Sequence, residues 1–164
     1  IPDFSAGAME NWGLVTYRET ALLLTDKSPW ALKQHVVIVL AHELAHQWFG
    51  NLVTMEWWDD LWLNEGFATL VAFYGTDFVR KQYEIVKETV FVMETQFAQK
   101  DDALSTSHPL STKITKSSEI NDNFDDITYR KGAAVLAMIR RVMGEAAFQK
   151  GIQAYLKKHC YENA

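Results

Sequence analysis

The sequence predicts a mainly α-helical chain with a small β element at its front. Three observations carry that expectation. The stretch from Ser28 to Gly50 contains no internal helix breaker and is apolar on most sides. Further windows after residue 60 repeat apolar residues at helical spacing, and the chain holds only 3 Pro in 164 residues. A period-two run of β-forming residues occurs once, from Leu14 to Leu22.

Taken in order, residues 1–24 mix Gly, Asp and Asn before that run, which reads as one strand or two short ones after a glycine-containing loop. Thr25 to Ser28 is a turn. Ser28 then suits an N-cap, Pro29 the first helical position and Gly50 the residue past a helix end, which predicts a long buried helix between them. The Trp-rich stretch Met55 to Trp62 carries no helical period. A second helix is predicted from about Asn64 to Phe78. A third runs from about Lys81 to Gln99, with Tyr83, Val86, Val90 and Met93 or Phe97 on one face. Residues 100–125 turn polar around Pro109 and read as a connection, with a short helix after Ser118. A fourth helix is predicted from about Tyr129 to Met143 and a fifth from about Glu145 to His159, with Phe148, Ile152, Tyr155 and Leu156 facing inward.

Composition narrows the functional classes. Lys and Arg number 16 against 21 Asp and Glu, a net charge of −5, so no general basic surface invites nucleic acid. The pairs Arg130-Lys131 and Arg140-Arg141 read as helix surface. One cysteine, Cys160, excludes an internal disulfide scaffold and a cysteine-rich zinc fold. Six Trp make a large apolar surface to bury, internally or against neighbours. No run of 18 apolar residues is present, and the chain begins at Ile1 without a leader-like stretch, so it reads as a segment of something larger. There is no phosphate-binding glycine loop and no Gly-x-Ser-x-Gly elbow.

The chemistry gathers on the first long helix. His42-Glu43-Leu44-Ala45-His46 places two imidazoles one turn apart on one face, where both reach a single ion. Neutral imidazole suits zinc, and Glu43 beside the first histidine is placed to act on a water rather than on the metal. Chance puts this pattern in roughly one chain in a hundred of this composition. A catalytic zinc needs a third protein ligand and an open position. Glu65, with 18 residues between it and His46, is the leading candidate, and two His with one Glu leave the ion acidic. Asp59 or Asp60 is a candidate acceptor for a ligand imidazole, with a solvated loop as the competing role. His35, seven residues before His42, reads as a packed core residue, and His108 and His159 read as surface.

These residues resemble the zinc aminopeptidases of the aminopeptidase N type. The resemblance rests on His42-Glu43-x-x-His46 with Glu65, on Trp48-Phe49-Gly50-Asn51-Leu52-Val53-Thr54 and on Trp62-Leu63-Asn64-Glu65-Gly66. Gly7-Ala8-Met9-Glu10-Asn11 is similar to that family's exopeptidase motif, and Ile127-Thr128-Tyr129-Arg130-Lys131-Gly132 to the segment carrying its catalytic tyrosine. It implies a single segment, residues 1–164, of a thermolysin-like catalytic domain. Residues 1–24 would form a substrate-binding loop and strands, and 25–164 the helical zinc-binding part.

Further implications of the resemblance concern chemistry. One Zn²⁺ per chain would be held by His42, His46 and Glu65, with Glu43 the general base for a zinc-activated water. Tyr129 would stabilise the oxyanion, and Gly7, Ala8, Met9, Glu10 and Asn11 would bind substrate, with Glu10 taking the free α-ammonium of a peptide. The partners implied are peptides with a free N-terminus, and N- and C-terminal domains packing on this segment. A membrane-anchored ectoenzyme is the favoured location on resemblance, a cytoplasmic enzyme the alternative. Competing readings are a catalytically idle docking module on the same fold, a zinc endopeptidase disfavoured by residues 7–11, and an epoxide hydrolase related to the family.

Overall fold

The computed structural model describes residues 1–84 and 90–164, of Val90 and Phe91 the backbone only. It is mostly helical with a small β element, as the sequence predicts. Strand β1, Ala8–Met9, pairs antiparallel with β2, Thr16–Tyr17, in the register Ala8 to Tyr17. The expected strand over Leu14 to Leu22 is cut to these two residues. Arg18 donates its N–H back to the Gly7 carbonyl, and Ala21 and Leu23 then bond to Arg18 and Glu19, winding the backbone into a 3₁₀ turn over Glu19–Ala21.

Helix α1 spans Trp30–Ala45, shorter at both ends than Ser28 and Gly50 imply. The Ser28 hydroxyl accepts from the Thr25 N–H at 2.8 Å, so it closes the turn before the helix rather than capping the helix. Beyond Ala45 the bonds tighten, with Gln47 N–H to Leu44 O and Trp48 N–H to Ala45 O. Gly50, at φ +127°, then reverses the chain. Only Val36, Glu43 and Ala45 of α1 are buried, and His35 is exposed, not packed as the sequence predicts.

Strand β3, Val53–Thr54, follows the turn, and a 3₁₀ turn at Trp58–Asp60 leads into α2, Leu61–Val79. This is the central helix, packed on α1 along one side and buried at nine positions from Leu61 to Thr76. The third helix departs most from expectation. Lys81–Tyr83 is a lone 3₁₀ turn stopped by Glu84 in the left-handed region at φ +49°, and α3 is Val90–Asp102. Val86 lies outside the described residues. Met93 and Phe97 are exposed, and Ala98 is buried; cations from Lys100 and Arg130 sit over the Phe97 ring.

The polar connection folds into a short helix α4, Ser117–Ile120, and a 3₁₀ turn, Asn121–Asn123. A wide π turn, Ile127–Lys131, feeds α5, Gly132–Met143, and α6 is Glu145–Lys158. Phe148, Ile152 and Leu156 of α6 pack on a core of Phe49, Phe67, Leu70, Ala133 and Leu136. The Phe49 and Phe67 rings stack at 4.7 Å. Strand β4, Glu162–Asn163, pairs parallel with β3. Two polar residues at the end of a helix gave the sequence no strand signal.

Two glycines set how the helices meet. A Cβ on Gly66 would come within 3.0 Å of the Gly132 backbone, so α2 and the start of α5 cross at a distance only Gly allows. That crossing places Tyr129 beside Glu65. Among the described residues no helix is long and apolar enough to cross a membrane.

Candidate metal centre

Helix α1 presents His42 and His46 on one face because they are four residues apart, and α2 brings Glu65 opposite them. The two Nε2 atoms are 2.9 Å apart, and Glu65 Oε2 lies 3.2 Å from His42 Nε2 and 3.1 Å from His46 Nε2. One ligand atom from each residue thus falls within 4.8 Å of the others, the arrangement that holds a single ion. His46 and Glu65 are buried, as is Glu43.

The surroundings fix the rings. His46 Nδ1 donates to the Phe49 carbonyl at 2.8 Å, which aims Nε2 at Glu65 and His42. The loop that supplies this carbonyl is held by Gly50, where a Cβ would lie 3.3 Å from His46 Nδ1. His42 Nδ1 lies 3.5 Å from the Thr69 hydroxyl, and its ring is stacked on Tyr129 at 5.9 Å between centroids. The expectation that Asp59 or Asp60 would serve a ligand imidazole is corrected. Asp59 Oδ1 accepts from the Ile114 N–H, and Asp60 Oδ1 from the Trp62 indole. Both carboxylates are committed to holding the loop entering α2.

Electrostatics reflect three buried groups sharing a small space. Burial alone raises a carboxyl, yet hydrogen bonds from His42 and His46 hold Glu65 down at about 2. Burial alone lowers an imidazole, but the Glu65 carboxylate outweighs it and lifts His46 to about 9. His42 is lowered, chiefly by burial. Glu43 is pushed up to about 7, first by burial and further by the charges of Glu10 and Glu65. Its Oε2 is buried with no hydrogen-bond partner among the described residues. Burial, and then the nearby Glu65 carboxylate, raise the Tyr129 hydroxyl far above the ordinary tyrosine value, so it remains a donor.

Zinc fits this donor set. The Nε2 atoms of two imidazoles converge with a carboxylate oxygen, Nδ1 of His46 is held by the Phe49 carbonyl so that Nε2 is the atom left to ligate, and a carboxylate oxygen of Glu43 stands beside them. The loop of residues 7–11 reaches the same place. Glu10 Oε1 stands 4.0 Å from His46 Nδ1, and the Glu10 carbonyl accepts from Asn51 Nδ2 at 2.8 Å and from Gln47 Nε2 at 3.4 Å. Gly7 and Ala8 are half-buried in and before β1, whereas Met9 and Asn11 are exposed. Asn11 Nδ2 donates to the Thr16 hydroxyl at 3.2 Å, tying the turn between the strands.

Sequence reasoning missed Asn51, Gln47 and Thr69 as parts of this construction. Gln47 and Asn51 sit one and five residues past His46, a spacing that names no partner. It also missed His108, expected at the surface. Its ring is half-buried and donates to Asp125 Oδ2 at 2.8 Å.

A His-His-Glu group on two facing helices that could hold a single ion is the kind of centre a metallopeptidase carries. All of residues 1–164 match the peptidase family M1 domain, and the chain belongs to that family. It is 53% identical over 165 residues to aminopeptidase M1 of Arabidopsis thaliana, covering 100% of this chain and 18% of that one. It is 50% identical over 165 residues to aminopeptidase N of Haemonchus contortus and 50% identical to glutamyl aminopeptidase of Bos taurus, in each case over 100% of this chain and 17% of the relative. The chain therefore spans less than a fifth of the length of these relatives.

Proposed function

We propose that this chain carries the catalytic centre of a zinc aminopeptidase, which removes the N-terminal residue of peptides by hydrolysis. The observation that carries the reading is the convergence of His42 Nε2, His46 Nε2 and Glu65 Oε2 beside a buried Glu43 with an unpartnered oxygen. The names of the relatives support the exopeptidase direction.

His42, His46 and Glu65 are the residues that would hold zinc. Bound there, zinc supplies Lewis-acid polarisation of the scissile carbonyl and lowers the pKa of water. Glu43, buried beside the three ligand residues with a carboxylate oxygen directed at none of them, is placed to take a proton from the attacking water and to return it to the leaving amine. Tyr129, with its proton held firmly, donates to the carbonyl oxygen as negative charge develops there. Glu10 receives the free α-ammonium of the substrate, and its position close to His46 limits the chain on that side to a single residue. Strand β1, Ala8–Met9, within residues Gly7 to Asn11, presents an edge along which a peptide adds as a further strand. On this reading residues 1–24 serve the substrate and 25–164 the metal. Exposed Trp12, Trp57 and Phe78 are surfaces for further parts of the longer protein.

The test compares one short peptide with a free N-terminus and the same peptide N-acetylated, using the zinc-loaded protein that carries this chain. Release of the first residue from the free form alone is the expected result. Cleavage of both makes the centre an endopeptidase, and cleavage of neither at stoichiometric zinc makes it a docking module.

A further inference from the structure

Outside the metal centre, a second cluster of polar side chains stands at the entry to the turn that carries Tyr129. Asp125 uses each oxygen of its carboxylate differently. Oδ1 accepts from the N–H groups of Ile127 at 3.1 Å and Thr128 at 3.0 Å, capping the first turn, while the Asp125 carbonyl accepts from the Tyr129 N–H at 3.1 Å. Oδ2 accepts from His108 Nε2 at 2.8 Å. His108 Nδ1 lies 2.8 Å from the Pro109 carbonyl and 2.9 Å from the Thr112 hydroxyl, so both ends of the ring are held.

The loop bearing His108 is itself tied to the entrance of α2. Thr112 N–H donates to the Asp59 carbonyl at 3.0 Å, Ile114 N–H to Asp59 Oδ1 at 2.7 Å, and the Trp57 indole to the Ile114 carbonyl at 3.0 Å. Helix α2 carries Glu65 one turn further on. A continuous set of hydrogen bonds therefore runs from the turn that leads into the helix carrying Glu65, through His108 and Asp125, to the backbone of Tyr129.

We propose that His108 and Asp125 are positioning residues for the Tyr129 hydroxyl, acting through the cap of its π turn. The inference rests on the role given to Tyr129 above. A π turn is wider and less regular than an α turn, and its first N–H groups have no partner in the preceding turn. Asp125 supplies those partners, and His108 fixes the rotation of the Asp125 carboxylate about its own axis. The tyrosine hydroxyl stands at the end of a long lever from that backbone. A small rotation at the cap therefore displaces the hydroxyl by a large fraction of an ångström, enough to weaken a bond formed only as charge develops. Substrate binding through Glu10 and the metal ligands is untouched by such a rotation.

The experiment is a double-mutant cycle in the zinc-loaded protein, with metal content and melting temperature measured on every variant. His108→Ala and Asp125→Ala are each expected to lower kcat roughly tenfold with KM unchanged. Asp125→Asn keeps a capping oxygen and an amide that can meet the imidazole, so it is expected to recover most of kcat. In a Tyr129→Phe background, His108→Ala is expected to lower kcat less than about twofold further, because the group it positions is already gone. Additive losses in the double mutant overturn the proposal, as does a loss that appears in KM rather than kcat. If Tyr129→Phe lowers kcat and His108→Ala does not, the positioning role fails and the role of Tyr129 stands. If Tyr129→Phe leaves kcat unchanged, both fail together. Should His108→Ala not fold, His108→Gln, which keeps a donor, is read through the same cycle, with additivity again overturning the proposal.

Discussion

Glu43 is disfavoured as an anion chiefly by burial, with His46 favouring its charge and two carboxylates opposing it. It is buried, one oxygen has no partner, and Glu10 and Glu65 both oppose its ionisation. Glu43→Gln preserves shape and removes the base, so zinc content should be unchanged while kcat falls between about a hundredfold and ten-thousandfold. Loss of zinc in that variant, measured by metal analysis, would mean that Glu43 ligates. Thr69 bears on the metal differently, as the hydroxyl nearest His42 Nδ1. Thr69→Val should weaken zinc by about tenfold in a chelator competition, and Asp59→Asn should leave affinity alone. Equal effects of the two would return the orienting role to the loop carboxylates. The ligand spacing was legible in the sequence because helical periodicity fixes which side chains share a face. The carbonyl of Phe49 and the hydroxyl of Thr69 were not, since their roles depend on where a turn and a second helix come to lie.

At the scale of elements, the close crossing of Gly66 and Gly132 governs the distance between Glu65 and Tyr129. Gly66→Ala puts a methyl within 3.0 Å of backbone that has no side chain to move aside. Overpacking of this kind costs about 1–3 kcal/mol. The displacement also separates the tyrosine turn from α2, so the variant should lose kcat as well as melting temperature. A lower melting temperature with full kcat would show that the crossing serves stability alone. Leu136→Ala, in the core between α5 and α2, should cost about 2–5 kcal/mol and leave the metal geometry intact. The long helices were readable in order, because apolar periodicity over ten or more residues is a strong signal. Their ends were less so. Ser28 satisfies a turn instead of a helix, and Glu84 takes a left-handed conformation that interrupts an otherwise helical pattern. The strand at Glu162–Asn163 forms only because Val53–Thr54 offers an edge, which no local composition announces.

For the whole molecule, metal and proton compete for the same groups, and the consequence is a pH dependence with a definite sign. Without metal, His46 has a folded pKa of about 9, above the ordinary histidine value, so its contribution to stability is complete below about pH 6.5 and is lost as pH rises to 9. Glu43, raised to about 7, acts in the same direction, since ionising it in the folded state becomes increasingly unfavourable from about pH 4.5 to 7. Glu65, lowered to about 2, stabilises above its ordinary value and loses that contribution as pH falls from about 4.5. The metal-free protein should therefore be most stable at mildly acid pH and weaken steadily towards pH 9. Zinc needs His46 without its ring proton on Nε2, and binding it expels that proton, so occupancy becomes easier as pH rises. The difference in melting temperature between zinc-loaded and chelated protein should widen from pH 5 to pH 9 at fixed free zinc, and metal binding should release about one proton at pH 7. Calorimetry in buffers of different ionisation enthalpy measures that proton directly. A melting-temperature gap that is flat across this range, with no proton released, would mean that His46 does not exchange a proton for metal, and the ligand set would have to be sought elsewhere in the chain.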